Sequence, residues 1–290
     1  MDLLTECSLR ISHDVECVNA SPAEPMPAFV GFAHGPVLTL LFADAEVQHS
    51  TLARIEAFYE SASAGTYLTC AEAAQARICR GYEAFNFPVD ALKRWLETMK
   101  AVSPAAPEDA PCWSSECNED ENALLRYIED NGVLEQYKYV VSALISQAET
   151  SLAHERLHAL YALSENYRTF VHHLWNDLPR SSAAAIALDL KMRGYSEAVW
   201  PDEFGAYLGV RVPTSRRTEP TLEFGNKNAE ACREARTQLL AEIPTYWKDD
   251  VGVEEGAFVL SSAQLDEARA VIPPRKKEVL PTKKSNKKHR

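Results

Sequence analysis

Residues 151–163 read Ser-Leu-Ala-His-Glu-Arg-Leu-His-Ala-Leu-Tyr-Ala-Leu, with His154, Glu155 and His158 at the centre. The stretch predicts a helix from about Ser151 to Leu163. On a helix, residues four apart lie one turn above each other on the same face. Two imidazole nitrogens placed this way can converge on one Zn²⁺ at about 2.0–2.1 Å. Glu155, between them, can reach a metal-bound water as general base. Zinc lowers the pKa of such a water toward about 7, so a carboxylate can take its proton as it attacks a carbonyl. The competing reading is a plain helix with two surface or satisfied histidines.

The flanks suit a site. Tyr137–Ile145, rich in Tyr and Val, predicts a strand just before the helix, at the edge of a small sheet where it would border the cleft. Helices are expected over Glu165–Trp175 and Ser181–Met192, the latter ended by Gly194. Pro201 opens a further helix at its first turn, followed at once by Asp202 and Glu203. Upstream, Pro36-Val-Leu-Thr-Leu-Leu-Phe42 predicts a buried strand, and Ser50–Glu60 follows with a helical stripe. Ala71–Tyr82 reads as a helix broken by Asn86-Phe87-Pro88. Asp90 then caps a helix to about Lys100 with Leu92, Trp95, Leu96 and Met99 on one face. Residues 101–121 read as a loop or lid, and 122–128 as a short helix. Residues 212–228 form a connection. Ala229–Ile243 predicts a helix burying Cys232, Ala235, Leu239 and Ile243, and Ser261-x-x-Gln264 a capping box for a last one.

A zinc site needs a third protein ligand. The three-histidine pattern H-E-x-x-H-x-x-G-x-x-H fails, because Tyr161 stands at the glycine and Ser164 at the last histidine. That leaves a carboxylate. Glu165 lies seven residues past His158 and points elsewhere on the expected helices. Asp177, before a proline break, is open. Glu203 is the best placed, in the first turn of its own helix, with Ala206 allowing close approach to the histidine helix. His172 and His173 are neighbours pointing about 100° apart, so they do not face one metal together. Asp189 is one acid among many that could orient a ligand histidine.

The pattern H-E-x-x-H-A followed by E-F-x-A resembles the gluzincin metallopeptidases, most of all the compact type that includes anthrax lethal factor. The matching residues are His154, Glu155, His158, Ala159, Glu203, Phe204 and Ala206, within roughly Tyr137–Leu208. Gly205 departs from the bulkier residue expected there. The resemblance implies His154, His158 and Glu203 as zinc ligands and Glu155 as base. It also implies Tyr195, shortly before the third ligand, as an oxyanion donor.

Composition sets the frame. The chain of 290 residues is 46% hydrophobic and 25% charged, ordinary for a globular protein able to bury a core without metal. Any metal is therefore expected to serve chemistry. Seven cysteines, with no C-x-x-C pair, argue against a cysteine zinc site or a disulfide framework. The net charge of -12 conceals a tail, residues 273–290, with eight Lys or Arg against one acid; the other 272 residues carry -19. An acidic body repels phosphate backbones, so nucleic-acid contact is expected only through the tail. No basic, apolar leader or run of roughly 18 apolar residues is present, which predicts a soluble, intracellular protein, cytoplasmic or nuclear, with no membrane partner.

The expectation is an α+β, mostly helical, zincin-like domain over 27–212. It has a flexible arm at 1–26, a helical extension at 213–272 and a disordered basic tail at 273–290. The expected activity is zinc-dependent cleavage of a peptide or protein substrate. The rival is a catalytically inactive domain of the same fold, kept as an interaction module with the tail as its working end.

Overall fold

The computed structural model describes residues 28–61, 64–102, 116–211, 219–254 and 260–272. The expectations for 1–26, for most of the 101–121 loop and for the tail lie outside the described residues.

The fold is α+β. In chain order it runs β1 (Phe29–His34), β2 (Val37–Phe42), α1 (Ala45–Glu60), α2 (Cys70–Ala76), β3 (Ala84–Pro88), α3 (Val89–Val102), α4 (Glu119–Asp130), α5 (Val133–Gln136), β4 (Tyr139–Leu144), α6 (Ala148–Leu163), α7 (Glu165–Asn176), α8 (Arg180–Met192), α9 (Trp200–Gly209), α10 (Ala229–Tyr246) and α11 (Ser262–Val271). The four strands form one mixed sheet in the order β1-β2-β4-β3. β2 and β4 are parallel, and the two outer strands are antiparallel to their neighbours.

The sheet divides the core into two halves. Val37 and Leu41 of β2, with Tyr139, Val141 and Ala143 of β4, pack with α6 to α11 on one face. Leu38, Leu40 and Phe42, with Val140, pack with α1, α3 and α4 on the other. Both faces are covered, which is why β2 reads as an unbroken apolar run rather than an alternating one. α10 buries Cys232, Ala235, Leu239 and Ile243 against the same core as α6 and α9, and the Ser261 capping box opens α11.

Two expectations are corrected. The Tyr137–Ile145 strand is β4, and it is an inner strand, paired on both sides, not the edge. The strand at that edge is β3, formed by the residues read as a helix break. Phe85 and Phe87 turn into the α1–α3 half of the core while Asn86 alternates to the opposite face. Pro88 ends the strand, and an edge strand tolerates a residue without N–H. The helix expected over Ala71–Tyr82 is also shorter. α2 stops at Ala76 because Arg77 takes a left-handed conformation with φ of 50°.

Candidate metal centre

α6 leaves β4 through a tight turn and lies under the sheet. Leu152, Leu157, Ala159 and Leu160 hold it there, buried in the core. His154, Glu155 and His158 occupy the same helix toward the β3 edge and α9. α9 begins with Trp200-Pro201-Asp202-Glu203, as expected of a proline in the first turn, and two acids there favour the helix dipole. α9 crosses α6 and α7 closely because two glycines, Gly205 and Gly209, stand at the contacts. A Cβ at Gly209 would meet Leu157 Cδ1 at 2.9 Å, and one at Gly205 would meet Val171 Cγ1 at 3.0 Å. The departure at Gly205 therefore has a packing reason.

The crossing brings three expected ligands together. Nε2 of His154 and Nε2 of His158 are 3.1 Å apart. Glu203 Oε2 is 3.7 Å from His154 Nε2, and Glu203 Oε1 is 3.7 Å from His158 Nε2. Four ligands placed tetrahedrally at zinc bond lengths stand about 3.3 Å apart, so these separations fit such an ion. Among the described residues this is the one group of three such side chains with ligand atoms within 4.8 Å of one another. Asp177 is not in it. Glu203 Oε2 and His154 Nδ1 are buried without a hydrogen-bond partner, a costly arrangement for a protein to keep empty-handed. Burial pushes the Glu203 carboxyl up, but His158 and His154 outweigh it and hold the group below its usual range.

The surrounding shell contains residues that sequence reasoning missed. Asp202 Oδ2 lies 3.0 Å from His158 Nδ1, the contact that fixes the tautomer of a ligating imidazole. Its position next to Glu203 was the available signal. Asp189, by contrast, pairs with Arg193 at 2.5 Å. Burial opposes the imidazolium form of His158, yet the carboxylates of Asp202 and Glu203 dominate and raise its pKa well above the usual value. Asn86, from β3, donates through Nδ2 to Glu155 Oε2 at 2.7 Å. Its own Oδ1 accepts from the Tyr139 hydroxyl at 2.6 Å. The Glu155 carboxylate is thus held from the sheet side, apart from the histidine nitrogens, and burial raises its pKa. No local pattern marks Asn86, which sits 69 positions from its partner.

Tyr195 lies on the other side of the site. Its hydroxyl faces the Glu203 carboxylate and sits 3.1 Å from the hydroxyl of Tyr207. Trp200 Nε1 donates to the Tyr195 carbonyl at 3.2 Å, fixing the segment between α8 and α9. Tyr207, one helical turn past Glu203, places its ring 4.7 Å from that of His154. Arg193 stacks on the Tyr207 ring at 5.0 Å. Two further acids approach from α1. Glu56 is 4% exposed and accepts through Oε2 from the backbone N–H of Asn86 at 3.1 Å. Burial, opposed by His158 and reinforced by Glu203, Asp202 and Glu155, brings the Glu60 carboxyl up to about 7.

No protein-family model matches the chain, and neither curated proteins nor solved structures provide a match. Among the described residues, no helix is long and apolar enough to cross a membrane.

Proposed function

We propose that this chain is a zinc-dependent hydrolase that cleaves amide bonds, a metallopeptidase of the gluzincin type. The observation that carries the reading is the convergence of His154, His158 and Glu203 on one point, with the Glu155 carboxylate held beside it by Asn86. Two imidazoles and one carboxylate are a donor set suited to zinc with a position left open for water. Zinc bound there supplies a Lewis acid and a water of lowered pKa.

The protein's own groups do the rest. Glu155 takes the proton of the attacking water and returns it to the leaving amine. Asn86 holds the Glu155 carboxylate in place, and Asp202, against Nδ1 of His158, would leave Nε2 free to hold the metal. Tyr195, whose hydroxyl lies beside that of Tyr207, would donate to the oxygen on which negative charge develops. A peptide would lie along β3, the edge strand nearest Glu155. Glu56 already takes the N–H of Asn86, so recognition there depends on side chains more than on a full strand ladder.

The test compares two isosteric variants. Glu155→Gln keeps the zinc and lowers hydrolysis of a peptide library by about 10²–10⁴, the usual worth of a general base. Glu203→Gln weakens zinc affinity, because a neutral amide is a poor ligand for a dication. Elemental analysis and turnover of the same preparations check both. Wild-type zinc affinity in Glu203→Gln removes Glu203 from the site. Full activity in Glu155→Gln overturns the mechanism.

A further inference from the structure

β3 is the edge strand beside the candidate centre, and its outer side is where an extended peptide would pair. Val89, just past the strand, donates its N–H to the Lys138 carbonyl at 2.9 Å. Bonding in an antiparallel pair alternates, so Phe87 and Phe85 turn their backbone groups toward β4, while Pro88, Asn86 and Ala84 turn theirs outward. The N–H of Phe85 agrees, donating to Ser142 Oγ of β4 at 3.2 Å. Two of the three outward residues have no N–H to offer an added chain. Pro88 carries none, and the N–H of Asn86 is taken by Glu56 Oε2 at 3.1 Å. Glu56 is buried, and α1 holds it against the strand, since Ile55 and Phe58 share a core half with Phe85 and Phe87. That leaves the N–H of Ala84, the first residue of the strand.

We infer that the edge of β3 is closed to strand addition, so that the substrates are short peptides, held at the scissile amide and the residues flanking it. A longer chain adds no affinity along β3. This rests on the metallohydrolase reading above. An added strand exchanges an N–H and a C=O with every second residue of the edge it joins. At Asn86 and Pro88 the incoming carbonyls would meet no donor. A carbonyl taken out of water without a bond costs at least as much as a ladder bond contributes. Sheets close exposed edges by the same two means, a proline and a charged side chain turned onto the strand.

The test is a nested series of N-acetylated, C-amidated peptides, from about two to about eight residues, built around one bond that the zinc-loaded full chain cleaves. In wild type, kcat/KM stays level over the longer half of the series. Two ladder bonds would raise it about thirtyfold, and a rise of about fivefold or more overturns the inference while leaving the hydrolase reading intact. Glu56→Ala frees the N–H of Asn86, and the longest peptide then exceeds one of half its length by about fivefold, the worth of one bond. Glu56→Gln keeps an oxygen for that N–H and stays level. Hydrogen exchange read amide by amide by NMR checks the geometry itself. The Asn86 amide is protected in wild type and in Glu56→Gln, and exchanges at least about tenfold faster in Glu56→Ala while Phe87 is unchanged. Free exchange at Asn86 in wild type, or a level series in Glu56→Ala once that amide is exposed, overturns the inference. A wild-type chain that cleaves no peptide of any length overturns the metallohydrolase reading, and this inference with it.

Discussion

At the residue scale, Glu155 depends on a partner that is not a ligand. Asn86 bridges the Tyr139 hydroxyl and the Glu155 carboxylate through bonds of 2.6 and 2.7 Å. A hydrogen bond to a charged group contributes about 1.5–3 kcal/mol. Asn86→Ala should therefore lower kcat/KM roughly ten- to a hundredfold through loss of Glu155 orientation. Zinc content should stay at the wild-type level, because Asn86 touches no ligand. Steady-state kinetics beside elemental analysis measures this, and parallel loss of zinc and rate would show that Asn86 serves the metal geometry instead.

At the element scale, the site is made where α9 crosses α6 and α7. Gly205 sets one side of that crossing, with Val171 methyls 3.0 and 3.2 Å from where its Cβ would be. Gly205→Val adds a branched side chain at this contact. Overpacking of this kind costs about 1–3 kcal/mol. Because Glu203 is two residues away on the same helix, the strain should also displace a ligand. The expected outcome is a lower Tm together with weaker zinc affinity. An equal drop in Tm with unchanged zinc affinity would mean that α7, not α9, gives way. The helices themselves were readable from the sequence: the Leu92, Trp95, Leu96 and Met99 face of α3 is buried as its spacing implies, and Pro201 starts α9. α2 and β3 were not, since seven and five residues carry too little periodicity to outweigh neighbouring contacts.

At the scale of the whole molecule, the two halves of the core pack on the sheet without metal. Protein stripped by a chelator should therefore still unfold cooperatively. Its acid sensitivity has a named contributor. His34, at the end of β1, is buried, and burial followed by the charge of Arg156 lowers its pKa to about 4 from the usual 6.5. The folded state thus resists a proton that the unfolded chain accepts. Stability from this group is present above about pH 6.5 and is lost as the pH falls toward 4. In chelated protein, His34→Asn should flatten the fall in Tm between these limits. The difference between wild type and variant isolates His34 from the other groups that titrate there. Parallel curves would show that His34 contributes nothing to acid sensitivity.

Local spacing along the chain encodes one part of this arrangement. A four-residue interval put His154 and His158 on one face of α6, a proline and two acids opened α9 at Glu203, and an apolar run became β2. Tertiary structure decided which surfaces those elements meet. It put β3 rather than β4 at the sheet edge, because β4 is bonded on both sides and a strand's place depends on its partners. It brought Asn86 and Glu56 to the candidate metal centre from positions about 70 to 100 residues before Glu155, and turned Asp202 and Tyr207 inward with Glu203. These contacts join residues far apart in the chain or depend on how two helices cross. Neither leaves a periodic mark in the sequence, since the packing that creates them acts between elements and not along them.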